Sequence, residues 1–223
     1  MQVMALEGKR VVGACCGDRH TMALTATGEV YSWGGGNKGK LGHGDEQNES
    51  APRRVEALQA VAGISAGGAH SAAWSAEGAM WTWGFGACGQ LGHGNENDQF
   101  VPCLVEALAG KKVVGVAAGC LHTVAWTDTE QLFTWGSNEH GQLGHGDDPM
   151  DEDEEGNPCL FLPRMVGALE GRCVVRVAAA HHTLVSTDNG AMFAFGLGAS
   201  GELGVSSNLS LILPTEVAFS FEQ

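Results

Sequence analysis

The chain has 223 residues, of which 43% are hydrophobic and 34 are glycine, so it can bury a substantial core and is too apolar for a disordered protein. Its formal net charge of -14, with only 12 Lys and Arg, argues against direct binding of nucleic acid and suits a basic partner. Residues 1–20 lack a signal-peptide pattern and no apolar run is long enough for a membrane span, so we expect a cytoplasmic or nuclear protein without membrane contact.

Four copies of one unit make up the chain. In each copy an aromatic-Gly pair is followed eight residues later by Leu-Gly, and a histidine precedes the pair by thirteen residues. The histidines are His20, His70, His122 and His182, and the aromatic residues are Trp33, Trp83, Trp135 and Phe195. The units cover approximately residues 3–54, 55–104, 105–165 and 166–217, within a single domain at 1–223.

Each unit predicts four short β-strands. The first is rich in valine and small residues, which suits a crowded inner edge, and the second alternates with period two. A tight hairpin turn leads to the third strand, where two aromatic residues stand two positions apart and therefore share one face. We expect that face to pack against the neighbouring sheet.

The fourth strand is expected to follow the proline of each unit. Its predicted positions are residues 53–58, 103–108 and 164–169. On the same alignment the chain begins within a fourth strand at residues 3–9 and ends within another at residues 214–217.

The repeated pattern resembles the regulator of chromosome condensation (RCC) repeat, a blade of a seven-bladed β-propeller. The likeness is carried by CGDRHTMAL with YSWGGGNKGKLGHG in the first unit and by the equivalent stretches of the other three. It implies an all-β propeller fold. Because a complete propeller of the family has seven blades, four units imply a partial, open arc, an excerpt of a larger protein, or a homo-oligomer whose chains complete a ring.

Several functions are known for this family, and the resemblance alone does not choose among them. Members include an exchange factor for the small GTPase Ran, interaction domains of HECT-class ubiquitin ligases, and a plant ultraviolet-B photoreceptor. The first unit looks most similar to the ligase-type domains. The photoreceptor's sensing tryptophan precedes the histidine by two residues, where this chain has no tryptophan, so light sensing is not expected.

We expect a scaffold for protein–protein interaction and not an enzyme. The sequence shows no catalytic triad, phosphate loop or metal-ligand spacing apart from residues that recur in every repeat. We therefore expect no cofactor and no metal. The histidines recur once per unit, which predicts hydrogen-bonded structural roles, and the seven cysteines form no CxxC pair, which indicates free thiols. The alternatives are an exchange factor for a Ran-like GTPase and the substrate-binding or regulator-binding domain of a ubiquitin ligase.

An acidic insertion is the one feature that the repeat does not explain. In the third unit the proline follows the Leu-Gly leucine by twenty residues instead of eleven, and the nine extra residues fall in an acidic loop at residues 147–158. The loop is interpreted either as a solvated, disordered segment or as a docking loop for a basic segment of a partner, with calcium binding as a weaker variant. The candidate partner-binding residues are Asp147, Asp148, Asp151, Glu152, Asp153, Glu154 and Glu155.

Overall fold

The computed structural model describes residues 4–218 and contains four antiparallel sheets, one for each sequence unit. Blade 1 consists of β1 (Val11–Cys16), β2 (His20–Thr25), β3 (Val30–Gly34) and β4 (Glu49–Arg54). Blade 2 consists of β5 (Val61–Ala66), β6 (His70–Ser75), β7 (Met80–Gly84) and β8 (Gln99–Leu104). Blade 3 consists of β9 (Val113–Ala118), β10 (His122–Thr127), β11 (Leu132–Ser137), β12 (Asp151–Glu152) and β13 (Pro158–Met165). Blade 4 consists of β14 (Val174–Ala179), β15 (His182–Thr187), β16 (Met192–Gly196) and β17 (Leu211–Glu216).

Consecutive blades pack side by side through their inner strands, in the manner of a propeller. The sheets do not close into a ring, so the chain forms an open arc of four blades. The predicted all-β propeller is therefore confirmed. Short 3-10 helices at Met4–Leu6, Asn37–Gly39, Glu106–Leu108 and Gly167–Leu169 are the helices among the described residues, and none is long and apolar enough to cross a membrane.

The predicted position of the fourth strand was wrong. In each blade the strand begins before the proline and contains it. In blades 1, 2 and 4 this strand lies at the edge of its sheet, and in blade 3 the added strand β12 pairs only with Pro158 and Cys159, so the missing N–H of Pro163 removes no strand pairing. The residues after the strand turn away instead. Val105 makes a last backbone bond to Met80, and Glu106–Leu108 then forms a 3-10 turn. Accordingly Met4–Leu6 is helical, and residues 214–216 end a fourth strand rather than begin one.

A chain of side-chain hydrogen bonds joins each blade to the next. The Nε2 atoms of His20, His70 and His122 lie 2.8, 2.8 and 2.9 Å from the hydroxyls of Ser71, Thr123 and Thr183 in the following blade. Each hydroxyl in turn donates to a backbone carbonyl of the preceding blade, at Lys40, Gln90 or Gln142. Because the hydroxyl hydrogen is used there, the histidine must donate from Nε2. The structural role predicted for these histidines is confirmed.

The third-strand aromatic residues fill the same contacts between consecutive blades, which we call joints. The indoles of Trp83 and Trp135 are fully buried and donate at 3.0 Å to the carbonyls of Lys40 and Gln90, the acceptors already used by the hydroxyls. Each ring lies against a glycine of the preceding Leu-Gly pair, so that a Cβ at Gly42 would stand 2.8 Å from the Trp83 indole nitrogen. The aromatic face therefore packs between blades, as the sequence indicates.

Candidate functional site

The acidic insertion folds back as a short hairpin on the outer edge of blade 3. Strand β12 pairs antiparallel with the start of β13, so that Asp151 faces Cys159 and Glu152 faces Pro158. Nearby, the Arg164 guanidinium donates to the Pro149 carbonyl at 2.8 Å. Of the two interpretations of this loop, the disordered one does not describe the structure. We call residues 151–158 the acidic hairpin.

Asp153 holds the tip of the acidic hairpin together. Its Oδ1 accepts hydrogen bonds from the backbone N–H groups of Glu155, at 3.0 Å, and Asn157, at 2.8 Å. Burial by itself would raise the pKa of this carboxyl, but the hydrogen bonds from Asn157, Glu155 and Gly156 outweigh it, and the pKa lies below its ordinary value. The Asp153 carboxylate thus stabilises the turn at the tip of the hairpin.

The hairpin tip is tied to blade 2. The Glu154 N–H donates to the Glu96 carboxylate at 2.9 Å, which links the tip to the loop between β7 and β8. Between that loop and the hairpin lies a cleft of about 660 Å³. We call it the acidic cleft.

The acidic cleft has an apolar floor and a negative rim. Its apolar lining comes from two phenylalanines, a leucine and small residues, namely Phe85, Phe161, Leu121, Ala87 and Cys88. Its carboxylates come from three different segments of the chain, namely Glu96, Glu139, Asp153, Glu154 and Glu155. None of the described residues that line the cleft is Lys or Arg. A volume of this size suits one or two side chains of a bound ligand.

The rim charges act on a thiol at the cleft. Burial raises the pKa of Cys88 to about 11, and the carboxylates of Asp153, Glu139, Glu155 and Glu96 push it in the same direction. Within residues 4–218 no ion pair neutralises a carboxylate of the acidic hairpin. Among the described residues, the carboxylates that line the cleft therefore have no ion-pair partner.

One cation already lies beside this site. Lys38 of blade 1 has its ammonium 5.6 Å from the centroid of the Phe85 ring and 3.2 Å from the Asp98 carboxylate. A positive group held between an aromatic face and a carboxylate is a favourable arrangement. The same two features, an aromatic ring and carboxylates, recur inside the cleft.

The repeated blades and their joints are those of a known family. The model of the RCC1-like domain matches residues 1–223. The chain belongs to the RCC1-like domain family. The RCC-type resemblance of the sequence is thereby confirmed.

Known relatives place this RCC1-like domain among longer proteins. It is 34% identical to the ultraviolet-B receptor UVR8 of Arabidopsis thaliana over 226 residues, an alignment that covers 100% of this chain and 49% of the receptor. It is 38% identical over 180 residues to the human E3 ubiquitin-protein ligase HERC2, covering 79% of this chain and 4% of the ligase. The chain thus spans about half of the first relative and a small part of the second.

The fold also agrees with a solved structure. Prp20p of Saccharomyces cerevisiae superposes with a TM-score of 0.84 and 22% identity, covering 96% of this chain and 52% of that one. At this identity the likeness shows the fold alone. It supports the description of the RCC1-like domain as an arc of propeller blades.

The seven predicted partner-binding residues divide into two groups. Asp153, Glu154 and Glu155 lie at the acidic cleft, whereas Asp147, Asp148, Asp151 and Glu152 do not line it. Sequence reasoning missed the other two rim carboxylates because they belong to other segments. Glu96 lies in the blade 2 loop and reaches the hairpin through the packing of blades 2 and 3, whereas Glu139 follows β11 and lies near the hairpin within blade 3. Glu96 precedes β8 whereas Glu139 comes just after β11, so the two occupy different positions of the repeat and no shared sequence signal marked them.

Several half-buried or buried thiols and histidines have strongly shifted pKa values. Burial raises the pKa of both the Cys15 and the Cys159 thiol to about 12, so these groups stay protonated and are poor nucleophiles. Burial lowers the pKa of the joint histidines instead, to about 3 for His70 and His122. Within residues 4–218 no group of three His, Cys, Asp or Glu side chains is arranged to hold a metal ion.

Proposed function

We propose that this RCC1-like domain is a non-catalytic interaction module, and that its acidic cleft binds a basic segment of a partner protein. The observation that carries the proposal is the rim of carboxylates from three chain segments around an apolar floor, with no cation among the described lining residues. A Lys or Arg side chain of the partner would meet the rim, and an adjacent aliphatic or aromatic side chain would contact Phe85 and Phe161. Complementary charge of this kind attracts the partner segment and fixes its position on the cleft.

Known relatives support the general class of this function. HERC2 is an E3 ubiquitin-protein ligase, and the solved Prp20p is described with binding properties to Gsp1p and histones. In a ligase, the module would hold a substrate or a regulator. The choice of a basic partner rests on the acidic cleft of this chain and not on these relatives.

The experiment compares two variants that lose the same charge. E154Q/E155Q removes two carboxylates from the cleft rim, and D147N/D148N removes two from the same insertion outside the cleft. The probe is a fluorescent peptide that alternates Lys and Arg with leucine, measured by anisotropy at physiological salt. We expect the cleft variant to weaken binding about tenfold, since each exposed ion pair contributes roughly 0.2–1 kcal/mol and two are lost.

The control variant should change affinity less than about twofold, because its charges act only through screened, long-range attraction. Equal losses in both variants would mean that the peptide responds to net charge rather than to the cleft. Equal binding by the wild type and both variants would exclude the acidic hairpin as a docking site.

A further inference from the structure

A positive side chain covers the first aromatic ring of the third strand in three of the four blades. The distances from the charged group to the ring centroid are nearly equal, namely 5.1 Å for Lys9 over Tyr31, 5.2 Å for Lys111 over Phe133 and 5.4 Å for Arg172 over Phe193. All three rings are buried. A cation at such a distance is attracted by the negative face of the ring, so this contact is a recurring feature of the blades.

Blade 2 lacks this cation because the turn that would carry it is shorter. In the other three blades four residues separate the leucine of the preceding turn from the first strand, and the third of them is the cation. In blade 2 only Gln59 and Ala60 lie between Leu58 and Val61. Trp81 occupies the ring position, and among the described residues no Lys or Arg lies over it.

Trp81 is more exposed than its counterparts. It is half-buried, whereas the three covered rings are buried. One part of the indole packs against an apolar cluster between blades 1 and 2 that includes Leu58 and Trp83, and the rest faces solvent. The structure describes both of these blades, so the exposed surface lies inside the arc and not at either end.

In blades 1 and 3 the covering cation is a lysine that also contacts a polar side chain. This polar residue stands two positions before the ring. The Lys9 ammonium is 3.0 Å from the Glu29 carboxylate, and the Lys111 ammonium is 3.5 Å from the side-chain oxygen of Gln131. Because an ammonium is a compact and strongly hydrated charge, such an acceptor replaces water that the lysine loses over the ring.

In blade 4 the covering cation is an arginine, and the polar residue is missing. Ala191 stands two positions before Phe193, and Arg172 forms no ion pair within the part of the chain that the structure describes. A guanidinium is planar and more weakly hydrated, so it can stack on an aromatic face without an acceptor. Blade 2 has Ala79 two positions before Trp81, which favours arginine over lysine for this ring.

We propose that the exposed face of Trp81 binds an arginine side chain of a partner protein, in the place that Arg172 occupies over Phe193. Tryptophan is the aromatic side chain that attracts cations most strongly, and the formal net charge of -14 draws basic segments to the chain. Trp81 does not line the acidic cleft, so this site is separate from the one proposed above and does not depend on it.

The test is an NMR titration that follows the indole N–H signals of the chain. Three peptides of the form acetyl-Gly-X-Gly-amide are compared, with arginine, lysine or citrulline as X, since citrulline has nearly the shape of arginine without its charge. The Trp81 signal should shift with the arginine peptide, and the affinity should be at least about threefold higher than for the other two. The indole of Trp83, which is fully buried and donates to the Lys40 carbonyl, is the internal control and should not shift.

Two variants close or remove the proposed site. Insertion of Gly-Arg between Gln59 and Ala60 restores the turn length of blade 4 and supplies the missing cation, so the arginine peptide should no longer shift the Trp81 signal. Insertion of Gly-Gly at the same point is the matched control and should retain binding. Trp81→Leu keeps an apolar side chain on the cluster, and saturation transfer to the arginine peptide should fall at least about threefold. Circular dichroism checks that each variant is folded.

Equal affinity for the three peptides, a Trp81 signal that does not move, or undiminished binding by Trp81→Leu would overturn the proposal. E154Q/E155Q separates this site from the acidic cleft. Unchanged binding of the arginine peptide by that variant supports the Trp81 site, whereas a loss as large as that of Trp81→Leu would place the peptide in the cleft and contradict the proposal.

Discussion

At the scale of the residue, three histidines hold the blades together in their neutral form. Burial is the main cause that lowers the pKa of His20 to about 4 and that of His70 and His122 to about 3. Neighbouring groups lower it further, since a protonated His20 would be repelled by the Lys40 ammonium and a protonated His70 by the protonated forms of His122 and His20. The sequence spacing predicted hydrogen-bonded histidines, but it did not reveal their partners, because these lie about fifty residues further along and meet the histidine only when blades pack.

These histidines make the stability of the arc depend on pH. In the unfolded chain a histidine takes up a proton near pH 6.5, whereas the folded pKa is about 3, so unfolding binds protons between these values. The histidine contribution is complete above about pH 6.5 and is lost as the pH falls towards 3. Each such residue lowers the free energy of unfolding by up to about 1.4 kcal/mol per pH unit in this window.

Urea titrations at pH 7.5 and 5.0 on the wild type and His70→Gln measure this effect, since glutamine keeps a donor but does not titrate. The wild type should lose more stability than the variant between the two pH values. An identical loss in both would show that His70 has the same pKa in the folded and the unfolded chain. The contact between the blades would then tolerate a protonated His70.

Trp83 and Trp33 occupy the same position of the repeat with different burial, so they form a matched pair. Trp83→Ala removes a fully buried indole between blades 1 and 2 and should cost roughly 3–5 kcal/mol in a denaturant titration. Trp33→Ala, at a half-buried position of blade 1, should cost clearly less, about half as much or below. Equal costs would contradict the assignment of the aromatic face to the joints.

At the scale of the element, the break in the repeat spacing located the acidic hairpin but not its shape. A nine-residue lengthening marks an insertion, whereas the pairing of Asp151 with Cys159 depends on a neighbouring strand edge that local sequence does not specify. The fourth strands were misplaced for a related reason. A proline in the sequence predicts a strand boundary, because it has no N–H to donate to a neighbouring strand, unless that side of the strand is known to be unpaired.

Asp153→Ala should open the tip of the hairpin while leaving the four blades folded. The substitution removes the acceptor for the N–H groups of Glu155 and Asn157, and hydrogen exchange at these two amides should accelerate at least about tenfold. The thermal midpoint should change by less than about 2 °C, because the hairpin adds little buried surface.

The same opening is expected for the wild type as the pH falls, since the lowered pKa of Asp153 makes its ionised form the stabilising one. Asp147→Ala is the control and should leave the two exchange rates unchanged. Unchanged exchange in Asp153→Ala would show that the turn does not depend on this carboxylate.

At the scale of the whole molecule, the described residues form an open arc of four blades, and several of its carboxylates gather at one cleft. The acidic cleft lies where blades 2 and 3 meet the hairpin, and the histidine hydrogen bonds lie between consecutive blades. The repeat pattern was enough to predict the blades and their number. The cleft could not be predicted in full, since Glu96 and Glu139 are ordinary loop residues until packing brings them to Asp153.

An interaction module without catalytic groups should not accelerate nucleotide exchange. Release of a labelled nucleotide from a Ran-like GTPase should proceed at its intrinsic rate when this chain is added in excess. Prp20p, which is described with binding properties to Gsp1p, is measured in parallel for comparison. Faster release of the labelled nucleotide with substoichiometric amounts of this chain would contradict the proposal that the module is non-catalytic.

The most direct test of the central claim is the footprint of a bound basic peptide, measured by hydrogen exchange on the wild-type chain. We expect slower exchange in the segments that form the acidic cleft, namely residues 85–88, 94–97 and 153–157, with little change elsewhere. Slower exchange confined to other segments, or none at a peptide concentration that saturates binding, would contradict it.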